Sequence, residues 1–113
     1  MTYEQALPIS RGDAEAALAA SEERAAEAMI RVSLNESDRE WAEAFCLAGL
    51  RDDRCTVRAA AITGLGHLAR RYQAASRAVI STLQSLRADP ALGGTAEDAL
   101  DDILSFADEP GIQ

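Results

Sequence analysis

Apolar residues recur along residues 52–69 with the spacing of one helix face. They follow one another at i, i+4, i+8 and i+11, which is the stripe of a helix that packs against other helices. Two glycines, Gly64 and Gly66, interrupt this helix, and each lowers helix propensity by about 1 kcal/mol relative to alanine. We therefore expect a neighbouring backbone to come close to them. The stripe consists of Val57, Ala61, Leu65 and Leu68.

Similar stripes and capping signals predict five further helices. A capping box, Ser37 followed by Glu40, begins the third helix, and Asp13 and Thr95 are expected to cap the first and the last. The lead-in 1–9 is expected to lie outside the helices, and the tail is expected to fray. The predicted inner stripe of the third helix is Trp41, Ala44, Phe45 and Ala48. The predicted helices cover about 13–20, 21–34, 37–50, 55–72, 77–87 and 95–107, and the tail covers 108–113.

The helices match one another at a shift of 35 residues. Aliphatic residues align in columns, for example Ile30, Leu65 and Leu100. A single helix pair cannot bury its own apolar face, so stacking of about three pairs makes a continuous core. We therefore predict one all-α domain over residues 1–113, a short α-solenoid. Its repeats are expected at about 10–35, 37–72 and 76–107.

Composition and charge favour a helical protein that binds other proteins. Hydrophobic residues make up 48% of the chain but aromatic residues only 4%, so alanine and leucine carry the apolar fraction and favour helix. The net charge of −8 repels nucleic acid and anionic membranes and attracts basic partners. Cys46 and Cys55 are expected to be small, partly buried thiols. Neither a signal peptide nor an apolar span is evident, so we expect a cytoplasmic protein.

Four acids on the last predicted helix form the main candidate site. Ala96, Leu100 and Ile103 are expected to turn inward, which leaves the acids on the outward side. Like-charge pairs at i, i+4 destabilise a helix by a few tenths of a kcal/mol, and the helix dipole favours acids only in the first turn. Two interpretations remain open, an anionic patch that binds a basic partner and an ordinary solvated face. The acids are Glu97, Asp98, Asp101 and Asp102.

Two single residues complete the predicted partner-binding set. His67 is the only histidine and lies on the rim of the apolar stripe, where it is either a structural residue or a partner contact. Trp41 is either a cover of the core or an interface anchor. By contrast, Asp52 and Asp53 with nearby arginines are expected to form turn and cap hydrogen bonds.

An enzyme is not indicated by these residues. The chain has no glycine-rich phosphate loop, and no Ser-His-Asp set is suggested. The lone His67 has no spaced carboxylate or cysteine partners with which to close a metal site. We therefore predict no catalytic residues, no metal and no cofactor.

The central stretch also resembles a HEAT repeat. The resemblance lies in an acid, a Val-Arg pair and a stripe of small and aliphatic residues, namely Asp53, Val57-Arg58, Ala61, Leu65-Gly66 and Leu68. It implies a right-handed solenoid of HEAT-like pairs. HEAT-fold metal hydroxylases bind their metal through His-Glu pairs. In this chain His67 is followed by Leu68, so the resemblance does not extend to those enzymes.

Three segments extend the resemblance over the whole chain. Residues 1–10, 65–70 and 96–103 resemble a group of small bacterial HEAT-repeat proteins. Members of that group are viewed as immunity proteins of polymorphic-toxin or contact-dependent inhibition (CDI) systems. The resemblance implies a protein that binds and blocks a cognate toxin domain, for which the acidic charge favours a basic nuclease. The alternative is a cytoplasmic HEAT-repeat scaffold or regulatory adaptor. The oligomeric state does not follow from the sequence.

Overall fold

The structure of the protein is a computed structural model that describes residues 7–106. Within this range the chain forms six α-helices and no β-strand, which confirms the predicted all-α fold. The predicted lead-in up to residue 6, the end of the last helix at Ala107 and the predicted frayed tail lie outside the described residues. The helices are α1 Arg11–Leu18, α2 Glu22–Asn35, α3 Arg39–Gly49, α4 Cys55–Tyr72, α5 Arg77–Leu86 and α6 Gly93–Phe106.

The six helices form three pairs arranged in two layers. The second helices of the pairs lie side by side with α4 between α2 and α6, while α1, α3 and α5 each pack on the second helix of their own pair. The Tyr72 hydroxyl lies 3.1 Å from the Ser37 carbonyl oxygen, and the backbone of Gly64 lies beside that of Met29. Both contacts join residues 35 positions apart, so α2 and α4 run parallel. The solenoid-like arrangement is therefore confirmed, while the division into repeats at about 10–35, 37–72 and 76–107 stays a prediction.

The central helix α4 supplies the middle of the core. All four residues of its predicted stripe are buried. A Cβ atom at Gly64 would lie 3.0 Å from the Cys46 sulfur and 3.3 Å from the Met29 carbonyl oxygen. The expectation that a neighbouring backbone comes close to this glycine is therefore confirmed. Gly66 faces α6 instead, where its Cβ would lie 3.6 Å from the Ala99 Cβ.

The inner face of α3 differs from the prediction. Phe45 is buried and Trp41 is half-buried as expected, but Ala44 and Ala48 are exposed. The buried stripe is shifted by one residue, which brings Gly49 against α2 and α4 and lets the three helices approach closely. An alanine-rich helix offers two overlapping stripes of similar hydrophobicity, so the pattern alone could not choose between them. The buried stripe is Ala42, Glu43, Phe45, Cys46 and Gly49.

Two of the predicted N-caps are wrong, by three residues at α1 and by one residue at α3. The Ser10 hydroxyl caps α1 by accepting from the Asp13 amide at 3.0 Å, so Asp13 is not the cap. Asp38 caps α3 by accepting from the Trp41 amide at 3.2 Å, in place of Ser37. In both helices the residue that caps accepts from the amide three residues further on, as capping geometry requires.

The last helix begins two residues earlier than predicted. It starts at Gly93 rather than after a Thr95 cap. The Asp89 carboxylate accepts from the amides of Ala91 and Leu92 at 2.8 and 2.9 Å, which forms the turn that leads into the helix. A Cβ at Gly93 would lie 2.5 Å from the Arg87 carbonyl oxygen, so this turn requires glycine. These hydrogen bonds lower the pKa of Asp89 below its usual range.

Side chains of the second pair bind the helix ends of the first pair. Arg71 donates to the Ser33 carbonyl oxygen in the last turn of α2 at 2.8 Å, and the Tyr72 hydroxyl donates to the Ser37 carbonyl oxygen in the loop that follows α2. Arg54 donates to the carbonyl oxygen of Leu18, the last residue of α1, at 2.8 Å. The carbonyl groups at a helix end lack partners within the helix. The pairs are therefore joined by hydrogen bonds as well as by apolar packing.

The turn before α4 is held by Asp52 and Arg54, which confirms the expected turn hydrogen bonds. The expected cap is wrong, because no side chain within residues 7–106 caps the start of α4. The Asp52 carboxylate accepts from the amide, Nε and Nη2 of Arg54 at 2.8–2.9 Å. The hydrogen bonds of the Arg54 side chain, followed by that of its amide, lower the pKa of Asp52 to about 2. This carboxylate is therefore charged throughout the usual pH range.

Asp52→Asn is expected to lower the free energy of unfolding by about 1 kcal/mol at neutral pH, because the amide cannot replace the charged hydrogen bonds of a partly exposed pair. A carboxyl group whose pKa is lowered in the folded state stabilises the fold above its unfolded pKa, and this stabilisation disappears as the pH falls through its folded pKa. The difference between variant and wild type should thus shrink between about pH 4 and pH 2. Urea unfolding at each pH, followed by circular dichroism, measures this difference in the free energy of unfolding. Asp53→Asn, at an exposed neighbour, is the control, and an equal loss in both variants would contradict the role given to Asp52.

The two cysteines occupy different environments. Cys46 is buried against α4, whereas Cys55 is exposed at the first position of α4. The expectation that both are partly buried is therefore wrong for Cys55, because it lies at the helix start and outside the apolar stripe. Burial, together with the negative charge of Glu43, raises the pKa of the Cys46 thiol to about 12.

Candidate functional site

The last helix, α6, carries the predicted acidic residues on its outward side. It packs on α4 and α5 through a buried stripe at the positions expected from helix periodicity. Glu97, Asp98 and Asp101 are exposed and Asp102 is half-buried. The buried residues of α6 are Gly93, Ala96, Ala99, Leu100 and Ile103.

The four carboxylates form two rows along α6. Asp98 and Asp102 are one turn apart on the side toward α4, where the Asp102 Oδ2 atom lies 3.6 Å from the position of a Cβ at Gly66. Glu97 and Asp101 are one turn apart on the side that continues away from α4. No arginine or lysine occurs within α6. The helix therefore presents negative charge both toward the seam with α4 and toward the end of the stack.

His67 lies at the seam between α4 and α6, beside the acidic rows. It is half-buried, and burial is the main reason why its pKa is lowered from the ordinary value. The positive charge of Arg70 lowers the pKa further, while the negative charge of Asp102 raises it. The structure thus brings His67 together with Asp102 and Arg70. The sequence offset explains this, since residues 67 and 102 differ by the same 35 positions.

Trp41 is separated from the acidic helix. It lies in the first turn of α3, in the other layer, and stacks on Phe45 with ring centroids 5.2 Å apart. The Arg11 guanidinium lies 4.9 Å from the centre of the indole ring, and the same group forms an ion pair with Glu36 at 2.9 Å. These contacts join α1 to α3. The structure therefore does not bring Trp41 together with the other predicted site residues, and an anchoring role for it stays a prediction.

Leu104 is an exposed apolar residue on the same helix as the four acids. It is 56% exposed on α6, three residues after Asp101 and seven after Glu97. The spacing indicates an outward position, because residues at i, i+4 and i+7 share one side of a helix.

A groove of about 530 Å³ lies at the other end of the stack, between α1 and α2. The guanidinium of Arg31 lines it and donates to the carbonyl oxygens of Leu7 and Pro8 at 2.7 and 2.8 Å. Arg31 also pairs with Glu27 at 3.5 Å. Arg31 thus holds the segment before α1 against α2.

Within residues 7–106, no three side chains of histidine, cysteine, aspartate or glutamate are placed so that they could hold a metal ion. None of the helices in that range is long and apolar enough to cross a membrane.

The whole fold matches a solved structure. A chain in the crystal structure of the CDI complex from Cupriavidus taiwanensis LMG 19424 superimposes with a TM-score of 0.82. The two chains are 33% identical, and the match covers 94% of this chain and 97% of that chain. The protein belongs to the same family as this chain of the CDI complex. The resemblance to proteins of CDI systems is therefore confirmed.

The family assignment rests on this structure. No protein-family model matches the sequence, and no curated protein matches it. The candidate site in this fold is the outward side of α6, the second helix of the third pair. His67 lies at the edge of that site.

Proposed function

We propose that the protein is a CDI immunity protein that neutralises a cognate toxin domain by direct binding. The observation that carries the proposal is the match to a chain of a CDI complex, at 33% identity over nearly the full length of both chains. The acidic character of the chain and the helical scaffold support a role in binding rather than catalysis. The protein would act in the cytoplasm, where an incoming toxin domain must be blocked.

We further propose that the toxin domain is basic and binds to the acidic side of α6. Four carboxylates on one helix without a basic side chain provide an attractive surface for arginine and lysine groups. A nuclease fits this requirement because it must carry positive charge to hold a phosphate backbone. Attraction at a distance also speeds the encounter between toxin and immunity protein.

Capture of the partner in the native bacterium tests the immunity function. A tagged copy of the protein is expressed under conditions in which the toxin is made, and the proteins that bind are identified by mass spectrometry. We expect one toxin fragment in stoichiometric amount. Recovery of a housekeeping complex instead would favour the adaptor alternative.

Neutralising three acids of α6 is expected to weaken toxin binding. The combined change Asp98→Asn, Asp101→Asn and Asp102→Asn should reduce affinity by about 10- to 100-fold, mainly by slowing association, since charge pairs act on the encounter rate. It should also make the association rate less sensitive to salt. Surface plasmon resonance at low and high ionic strength measures both quantities.

The control for this experiment carries the same change in net charge at other sites. Glu15, Glu23 and Glu40 are exposed and lie outside α6, and their combined replacement by glutamine removes three negative charges there. We expect the control to change affinity by less than about threefold. An equal loss in the two triple variants would show that overall charge, not α6, attracts the toxin.

A further inference from the structure

Leu104 is an apolar side chain that α6 turns toward solvent. It is 56% exposed, and Leu7, at 64%, is the other large apolar side chain with comparable exposure among residues 7–106. A single exposed leucine is common on protein surfaces. The position of Leu104 is informative because carboxylates flank it on the same helix.

The side of α6 that contains Leu104 is the end face of the described stack. Residues at i, i+3, i+7 and i+10 share one side of a helix, and this side carries Gly94, Glu97, Asp101 and Leu104. It lies opposite Ala99, the residue through which α6 approaches α4. A Cβ at Gly94 would meet no atom within 4 Å, so the face is open at its first turn as well. Within the described chain, α4 and α5 are the helices that pack on α6.

We propose that Leu104 is the apolar anchor of the toxin-binding surface. Its side chain inserts into an apolar pocket on a basic face of the toxin, and Glu97 and Asp101 pair with basic groups around that pocket. The inference rests on the proposed immunity function and names the contact that would hold the complex together. Interfaces typically combine a buried apolar anchor of this kind with a polar rim that excludes water.

Charge favours a basic toxin over a second copy of the chain as the occupant of this face. A second copy would bring a net charge of −8 toward Glu97 and Asp101 on this face, and like charges repel. A basic surface instead gains both charge pairing with the rim and burial of the leucine. The end face thus fits a partner that is positively charged and has an apolar centre.

Leucine and carboxylates should act on different steps of binding. Charges at the rim act at a distance and set the association rate, whereas a buried apolar contact forms only in the docked complex and sets the dissociation rate. A variant that removes only the leucine should therefore change dissociation while association keeps its salt dependence.

The test compares Leu104→Gln with Leu7→Gln in binding to the captured toxin domain. Both changes place an amide at an exposed leucine, but Leu7 lies beside α2 at the other end of the stack. We expect Leu104→Gln to raise the dissociation rate about tenfold or more, with an association rate within about twofold of wild type at each ionic strength. Leu7→Gln should leave both rates unchanged.

The outcomes separate failure of this inference from failure of the proposed function. If wild type binds the toxin and Leu104→Gln dissociates as slowly as wild type, Leu104 is not the anchor although the immunity function stands. If wild type does not bind a toxin domain, the proposed function itself is wrong. A toxin-free wild type that sediments as a dimer while Leu104→Gln is monomeric would assign the face to a second copy. A Tm that falls sharply in Leu104→Gln would show that the leucine is covered within its own chain, which also overturns the inference.

Discussion

Replacing Met29 with alanine is expected to lower the free energy of unfolding by about 3 kcal/mol, within the range for removing a buried methionine side chain. Met29 is completely buried at the place where α2, α3 and α4 meet. Its Sδ and Cε atoms lie 2.7 Å from the position that a Cβ at Gly49 would occupy. Truncation of Met29 leaves a cavity between three helices. The helices cannot close this cavity one at a time, because each of them also packs on the other two. Urea unfolding followed by circular dichroism gives the value.

A second substitution, Gly49→Ala, shows whether this cavity exists. In the wild-type background the new methyl group would overlap the Met29 thioether and approach the Ala61 Cβ at 3.1 Å, so we expect a loss of about 1–3 kcal/mol. In the Met29→Ala background the same methyl group enters vacated space. The double variant should therefore be at least about 1 kcal/mol more stable than the sum of the single changes predicts. Additive losses would show that the two sites do not share this space.

Gly64→Ala and Gly66→Ala are expected to have opposite effects. Alanine raises helix propensity by about 1 kcal/mol at either position. At Gly64 the added Cβ would lie 3.0 Å from the Cys46 sulfur, 3.3 Å from the Met29 carbonyl oxygen and 3.3 Å from the Ser33 Cβ. These tight contacts include backbone and cannot all relax together, so we expect a net loss of about 2 kcal/mol.

At Gly66 the nearest atoms to an added Cβ are 3.6 Å away, which is ordinary van der Waals contact. Gly66→Ala is therefore expected to raise the free energy of unfolding by about 0.5–1 kcal/mol. Thermal unfolding of the two variants side by side provides the comparison, and each serves as the control for the other. Stabilisation by Gly64→Ala would mean that α2 can move away from α4 without cost.

The sequence predicted the parts of the fold that depend on helix periodicity. The stripe of α4 and the parallel offset of 35 residues follow from repeated aliphatic columns, because only a few spacings place such residues on one helix face. The face of α3 could not be predicted, since adjacent alanines make two stripes nearly equal and the choice depends on how Gly49 fits against Met29. The wrong cap predictions have a similar origin, because several Ser and Asp residues near each helix start could accept a hydrogen bond from the first free amides of the helix.

The candidate site could be predicted in part for the same reasons. The outward direction of the four acids on α6 follows from the buried residues of that helix, and the offset of 35 residues places His67 beside Asp102. The separation of Trp41 from this site could not be predicted, because it depends on which layer each helix occupies. The exposure of Leu104 does not follow from its apolar character, but its spacing of three residues from Asp101 places the two residues on the same side of α6.

The hydrogen bonds between the first two helix pairs determine how the protein can open. Arg54 and Arg71 donate to backbone carbonyl groups at the ends of α1 and α2, and Tyr72 donates to a carbonyl group in the loop after α2. If the first pair detached, the hydrogen bonds between these carbonyl groups and the guanidinium groups would break at the same time as the apolar contacts. We therefore expect little local fraying of the first pair, and we expect the backbone amides of α1 and α2 to exchange with solvent together with those of α4.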